Sequence, residues 1–166
     1  MRAISFSAVA LTTGLFGCVG ASSTNTPQGV PADRLVNLPL AASRLNAGET
    51  AWATLVARGD KTDATIVTSG VPPQVSRPVH LYTYIHSGAC GALSARPTYS
   101  LTDVVLARSG GVSGFPGAPF TVSNTAKVRL TELRATPHAI VVRSSPADGD
   151  LELFCGDIAM RSSNDG

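Results

Sequence analysis

Two cysteines in short glycine-bearing segments constrain the fold of this chain more than any other sequence feature. Cys90 precedes Gly91 and Cys155 precedes Gly156, at opposite ends of a region rich in strand-forming residues. A bond between them would tie an early strand of the domain to its last strand. The pair therefore bears both on topology and on the compartment in which the chain folds.

The third cysteine, Cys18, follows a segment with the composition of a secretion signal. Arg2 precedes an apolar run broken only by Ser, Thr and Gly, and this run is shorter than the ~20 residues of a membrane-spanning helix. Residues 15–18 resemble the lipobox of bacterial lipoproteins, in which cleavage falls before the cysteine and its thiol receives a diacylglycerol anchor. Phe16 departs from that pattern, which usually has a small residue there. The sequence predicts a signal peptide over 1–17 and lipidation of Cys18; a plain secretory signal with an incidental cysteine is the alternative.

Export would place Cys90 and Cys155 in an oxidising compartment, where a disulfide persists. The competing interpretation, a CxxC redox or metal site, has no support because that spacing does not occur in the chain. A structural disulfide is therefore predicted. Closing its loop of about 65 residues would contribute roughly 4 kcal/mol in the chain-entropy model.

The composition changes at residue 34 and suggests how the chain is divided. Residues 18–33 are small and polar with Pro and Gly, which predicts a flexible tether behind the lipidated cysteine. One domain is predicted over 34–160 and a disordered tail over 161–166. The expected partners are the membrane, through the lipid, and an envelope protein or small ligand. A net charge of only +2, without clustered basic residues, gives no support to nucleic-acid binding.

From residue 34 onward, short runs rich in Val, Leu, Ile and Thr alternate with turn residues, which is typical of an all-β domain. The candidate strands are 36–44, 49–57, 63–69, 79–86, 101–107, 120–123, 127–133, 139–143 and 151–155. These runs and the lack of a sustained 3.6-residue period predict an antiparallel sandwich or flattened barrel. Glycine-bearing hairpin turns are expected at 58–61 and 147–150, and a long Gly/Pro loop at 109–119.

The predicted strand 79–86 has two chemically different faces, because alternate side chains of a strand point to opposite sides. The face expected to meet the core consists of Val79, Leu81, Thr83 and Ile85. The other face consists of His80, Tyr82, Tyr84 and His86. This aromatic and imidazole stripe is a candidate binding surface. The alternative is a solvated face whose rings cover cross-strand neighbours.

This strand also opens a series of motifs that resembles the copper/zinc superoxide dismutase family. The motifs cover roughly 38–158 in the order of that family. They are PVHLYTYIHSG at 78–88 followed by Cys90, PTYSL at 97–101, AIVVR at 139–143 followed by Ala147 and Asp148, and CGDI at 155–158. The resemblance implies an eight-stranded antiparallel Greek-key β-barrel with an intrasubunit disulfide between Cys90 and Cys155.

A fold does not carry its active site with it, and the resemblance implies that most metal ligands have been replaced. Only His86 matches a copper-ligand position of the family. The other three copper-ligand positions are occupied by Tyr84, Thr98 and Arg143. The zinc-binding loop is also missing, because residues 91–100 contain neither His nor Asp.

The spacing of the histidines points the same way. His80 and His86 are six residues apart, or roughly 20 Å at ~3.3 Å per strand residue, whereas metal ligands lie about 2 Å from a shared ion. Together with His138 they are the candidates for a degenerate copper site, and no other cofactor is expected. A serine nucleophile is not indicated, because the GxSxG motif is absent.

These observations predict a non-catalytic, superoxide dismutase-like lipoprotein that is exported and lipid-anchored to the bacterial envelope, at the outer membrane or periplasmic face if the host is Gram-negative. Its possible binding surface consists of Tyr82, Tyr84, His86 and Arg143. An arginine beside tyrosine rings can bind an anionic or carbonyl-bearing group, or can stack on them and fill the former copper position. Two alternatives stay open: a copper-binding dismutase or periplasmic metal-handling protein, and a purely structural lipoprotein.

Overall fold

The computed structural model describes residues 34–109 and 119–158. The predicted signal peptide, Cys18 with its tether, most of the 109–119 loop and the predicted tail lie outside the described residues. Within the described ranges, no helix is long and apolar enough to cross a bilayer.

The described chain is built almost entirely of strands and short turns. The strands are β1 (Leu35–Ala42), β2 (Ala51–Arg58), β3 (Lys61–Thr68), β4 (Tyr82–Ala89), β5 (Ala92–Leu93), β6 (Tyr99–Leu101), β7 (Arg108–Ser109), β8 (Phe120–Ala126), β9 (His138–Arg143) and β10 (Glu152–Ile158). The helical segments are one α-turn, α1 (Leu130–Leu133), and two 3-10 turns, Arg44–Asn46 and Pro146–Asp148.

All of these strands pair antiparallel in one sheet, which confirms the predicted all-β antiparallel class. The order is β5-β4-β9-β10-β1-β2-β3-β8-β7, and β6 pairs with β4 as well. The sheet of the described residues is not closed by a continuous ladder, and three of its strands have only two or three residues. The strand ladder of the described residues is thus an open sheet of ten strands.

The sheet wraps around one apolar core because its strands alternate buried and exposed residues. Along β1, Val36 and Leu38 are buried while Asn37 and Pro39 are exposed. The core receives side chains from both halves of the sheet, including Leu55 of β2. This period of two is the pattern expected of strands with one face on a core.

A side chain rather than a strand ladder joins β8 to the segment that follows β6. The Asn124 amide accepts from the Val104 backbone N–H at 2.8 Å and donates to the Val104 carbonyl at 2.7 Å. Farther along this segment, Leu81 donates to the Val105 carbonyl and Ala107 donates to the Val79 carbonyl. These backbone groups of the segment are thus satisfied without a regular strand.

Two of the predicted strands are wrong. The run 127–133 ends in α1, because Leu130 and Leu133, three residues apart, are both buried on one side of a single turn. The run 101–107 leaves the strand conformation after β6 and regains only an isolated bridge between His80 and Leu106. Its apolar residues Val104 and Leu106 are about half exposed, so they do not contribute a core face.

Both predicted turns are present. Gly59, with φ +60°, lies in the two-residue loop between Arg58 and Lys61, which are paired in register. In the β9–β10 connection, Gly149 and Asp150 both have positive φ. The Asp148 carboxylate in the same connection accepts from the Ser76 hydroxyl at 2.5 Å, and this hydrogen bond is the main cause that lowers the pKa of Asp148.

Candidate functional site

The disulfide holds a short loop against the outer surface of the sheet. Cys90, between β4 and β5, is bonded to Cys155 of β10, with the two Cα atoms 6.0 Å apart. This confirms the predicted bridge. The Cys90 backbone N–H also donates to Asp157 Oδ1 at 2.6 Å, so the loop is attached to β10 at Cys155 and again two residues farther on.

Strand β9 is buried on both faces because this loop covers its outer side. Its inward residues Ile140 and Val142 belong to the main core, while its outward residues Ala139 and Val141 pack in a small second cluster with Cys155. Only the last residue of the strand is partly exposed. The outer surface available to a ligand is therefore limited to the end of β9 and its neighbours on β4.

His86 lies on the predicted stripe but is covered by the loop. It is in register with Ala139 and is only 8% exposed. Its Nδ1 lies 2.9 Å from the Ser94 carbonyl, which can only accept a hydrogen bond, so Nδ1 carries the proton. The ring packs edge-on against Tyr84, with centroids 6.4 Å apart. His86 therefore packs against the Tyr84 ring and is itself almost entirely shielded from solvent.

The remaining three residues of the predicted surface are brought together at the ends of β4 and β9. Tyr82 is directly opposite Arg143 in the strand pair, and Tyr84 is opposite Val141. Tyr82, Tyr84 and Arg143 are each partly exposed on the same side of the sheet. The cluster forms a small surface with two phenol groups and one guanidinium.

Asp150 is the member of this site that the sequence analysis missed. Arg143 Nε donates to Asp150 Oδ1 at 3.0 Å, and its Nη2 donates to the Asp150 carbonyl at 2.6 Å. Among the described residues, no cation–π contact joins Arg143 to a tyrosine, whereas Arg77 lies 5.1 Å above the Phe120 ring. The guanidinium is thus neutralised by a carboxylate and does not stack on the tyrosines.

The charges of Asp150 and Arg143 both affect the pKa of Tyr84. Burial raises the pKa of Tyr84 most, the Asp150 carboxylate raises it further, and the Arg143 guanidinium lowers it. Because the pKa in the folded state exceeds that of the unfolded chain, the neutral phenol contributes stability below about pH 10. That contribution is lost as the pH rises through the folded-state pKa.

A titration can test this arrangement. We expect Asp150→Asn to lower the pKa of Tyr84, because it removes a negative charge, and Arg143→Ala to raise it. The measurement is the pH dependence of the Tyr84 ring-carbon resonance in NMR spectra. Asp60→Asn, in the β2–β3 turn, is the matched control and should leave the resonance unchanged. Equal pKa values in all variants would contradict the geometry described here.

The other two histidines lie in separate structural settings. His80 is paired with Leu106 in an isolated bridge. His138 is buried, and its Nδ1 lies within 3.2 Å of the carbonyls of Leu133 and Thr136, so it ties α1 to the start of β9. Among residues 34–109 and 119–158, no group of three or more His, Cys, Asp and Glu side chains is placed to hold a metal ion.

The residues that the sequence resemblance would align with copper ligands are Tyr84, His86, Thr98 and Arg143, and they make other contacts in this structure. A guanidinium cannot coordinate a cation because it has only donors, and Arg143 is already paired with Asp150. Thr98 hydrogen-bonds the Ser87 hydroxyl at 2.9 Å and holds the loop against β4. Among these four residues, only His86 has an imidazole. Comparison with protein-family models, curated proteins and solved structures finds no match for the chain.

Proposed function

We propose that this chain is a non-catalytic, superoxide dismutase-like lipoprotein of the bacterial envelope that binds a ligand on the outer side of β4 and β9. The observation that carries the proposal is the pairing of Arg143 with Asp150 beside Tyr82 and Tyr84. In the resemblance drawn from the sequence, this is where copper would be held. Hydrogen-bonding and aromatic groups now occupy that place, which suits binding rather than redox chemistry.

A Greek-key barrel is part of the same proposal. Its support is that the sheet surrounds one core and that the Asn124 amide joins β8 to the segment leaving β6. The disulfide between the loop after β4 and the final strand is the one that the family resemblance implies. Lipidation of Cys18 would place the domain at the membrane through a tether of 18–33, a proposal that rests on the sequence motif alone.

The charge of the site favours an uncharged ligand. Asp150 compensates the guanidinium of Arg143, so an anion would gain little from the site. The guanidinium still has its Nη1 hydrogens to donate, and the Tyr82 and Tyr84 hydroxyls can donate or accept. The ligand class that fits is a neutral, carbonyl-bearing group of an envelope partner.

A copper titration tests the non-catalytic part of the proposal. We expect protein made without an affinity tag to bind no stoichiometric copper and to show no superoxide dismutation, because only one imidazole lies at the former ligand positions. The measurements are metal content after dialysis and a dismutation assay with added Cu²⁺, with free Cu²⁺ as the activity control. Tight binding of one copper per chain, with dismutation that His86→Ala abolishes, would overturn the proposal.

Site-directed photocrosslinking tests the binding part. A photoreactive phenylalanine at Tyr84 should crosslink to an envelope component in living cells, since the ring is partly exposed beside the Arg143–Asp150 pair. The same residue at Thr131, exposed on α1, is the matched control. Adducts that are identical at both positions, or absent at Tyr84, would favour a purely structural lipoprotein.

A further inference from the structure

The surface formed by Tyr82, Tyr84 and Arg143 is called the tyrosine site below. A second surface lies on the outer side of β1, β2, β3 and β8, separated from the tyrosine site by β10. Five large apolar side chains are exposed among the described residues, and four of them lie on this face or at its edge. They are Trp52 at 55%, Val67 at 38%, Val104 at 47% and Leu106 at 49%. Exposed apolar residues that gather on one side of a small domain commonly mark an interaction surface.

The centre of this surface is a row of side chains that crosses the sheet. Strand register places Trp52 between Pro39 and Val67, and places Thr121 between Val67 and Arg108. We call Pro39, Trp52, Val67 and Thr121 the tryptophan platform. The row from Pro39 to Arg108 spans five strands, or roughly 19 Å at ~4.8 Å per strand. It is an extended row on the sheet surface rather than a closed pocket.

A second, uncharged row runs beside the platform. It consists of the outward residues Asn37, Thr54, Thr65 and Ser123. The Thr54 hydroxyl donates to Asn37 Oδ1 at 2.8 Å, which leaves the Asn37 amide nitrogen able to donate twice. The Thr65 and Ser123 hydroxyls lie 3.0 Å apart and share one hydrogen bond, so each still has hydrogen-bonding capacity.

The two rows lead into a groove between β8 and the segment after β6. One part of the groove has a volume of about 340 Å³ and is lined by Thr65 and the Arg58–Asp63 pair, among others. An adjoining part of about 220 Å³ is lined by Leu106 and Thr121. Ser123 and Val104 line both parts, so the two parts lie side by side.

The charge and the hydrogen-bonding groups of this surface limit what can occupy it. Arg58 is paired with Asp63, and the exposed Asp103 and Arg108 have opposite signs, so the local charge does not favour an acidic polymer or an anionic lipid. The uncharged row of Asn37, Thr54, Thr65 and Ser123 offers hydrogen bonds directly beside the exposed apolar side chains. The occupant should therefore be neutral, hydroxyl-rich and partly apolar.

We propose that the tryptophan platform and its groove bind a neutral saccharide chain. The C–H face of a sugar ring packs on the exposed indole of Trp52, as apolar groups do on aromatic side chains. The hydroxyls of the saccharide chain exchange hydrogen bonds with Asn37 on the strand next to Trp52 and with Ser123 two strands away on the other side. Binding at the tryptophan platform does not depend on the tyrosine site, so an experiment can contradict one proposal without affecting the other.

The test uses the full chain with Cys18→Ser and three probes: chitotetraose, cellotetraose and maltotetraose. Trp52 is the only tryptophan of the chain, so its fluorescence reports directly on the platform. At least one probe should shift the emission to shorter wavelength in a saturable manner. Calorimetry should then show affinity about tenfold weaker for Trp52→Ala and partly retained for Trp52→Phe.

A matched variant locates the effect. Leu45→Ala removes the one exposed apolar residue of this set that lies off the face, and it should bind the probe with unchanged affinity. Circular dichroism should confirm that every variant is folded. The proposal is overturned if none of the three probes gives a saturable response, or if Trp52→Ala binds as well as the parent. It is also overturned if phosphatidylglycerol vesicles or protein concentration alone shift the emission while the sugars do not.

Discussion

Replacing Cys90 and Cys155 together by alanine is expected to lower the free energy of unfolding by about 4 kcal/mol. The bond closes a loop of 65 residues, and without it the unfolded chain gains the corresponding conformational freedom. This is a large part of the ~5–15 kcal/mol that stabilises a typical domain. Urea denaturation of the parent and the double variant, followed by circular dichroism, measures the difference.

Cys18→Ser is the control for this experiment, because it removes a cysteine that forms no part of the bridge. Its free energy of unfolding should equal that of the parent. A loss below about 1 kcal/mol in the double variant would contradict the expectation. It would show that the bond between the Cys90 N–H and Asp157, with the packing under the loop, is enough to hold this region.

The second large effect is expected in the core. Phe154→Ala should lower the free energy of unfolding by about 3–5 kcal/mol, because it removes a fully buried ring from a tightly packed interior. Phe154 is in register with Val142 on one side and Ala42 on the other, so the cavity would open between β9 and β1. The measurement is again the urea midpoint and slope.

Phe154→Leu is the matched control because it keeps most of the apolar volume. It should cost markedly less than the alanine change. Val67→Ala, on the exposed face of β3, should change stability by only about 0.5 kcal/mol or less. If Phe154→Ala lowered the free energy of unfolding no more than Val67→Ala, the burial of Phe154 in the core would be contradicted.

Local patterns explain why the strands could be predicted from the sequence. Around β4, buried and exposed side chains alternate from one residue to the next, so the pattern can be recognised in a short stretch of sequence. Val79, Leu81 and Ile85 are buried as expected, whereas Tyr82 and Tyr84 are partly exposed. The prediction failed where burial depends on distant parts of the chain. The single turn α1 forms because Leu130 and Leu133 fit the core, and a short apolar run carries no signal that separates this from a strand.

The candidate site was partly predictable for the same reason. Tyr82 and Tyr84 follow from the period of the strand, but the burial of His86 depends on a loop whose Ser94 carbonyl reaches its ring. The pairing of Arg143 with Asp150 depends on a turn in which Asp150 adopts a positive φ, an uncommon conformation outside glycine. The tryptophan platform required strand register, which the sequence alone did not specify.

The burial of β9 on both faces has a consequence for how this protein can evolve. A substitution between His138 and Val142 disturbs either the main core or the packing beneath the disulfide loop. At the ligand site proposed above, new preferences would therefore have to arise at the two tyrosines of β4, the final arginine of β9 and the turn that contains Asp150. Selection on that proposed site would act through these positions while the strand between them stays fixed.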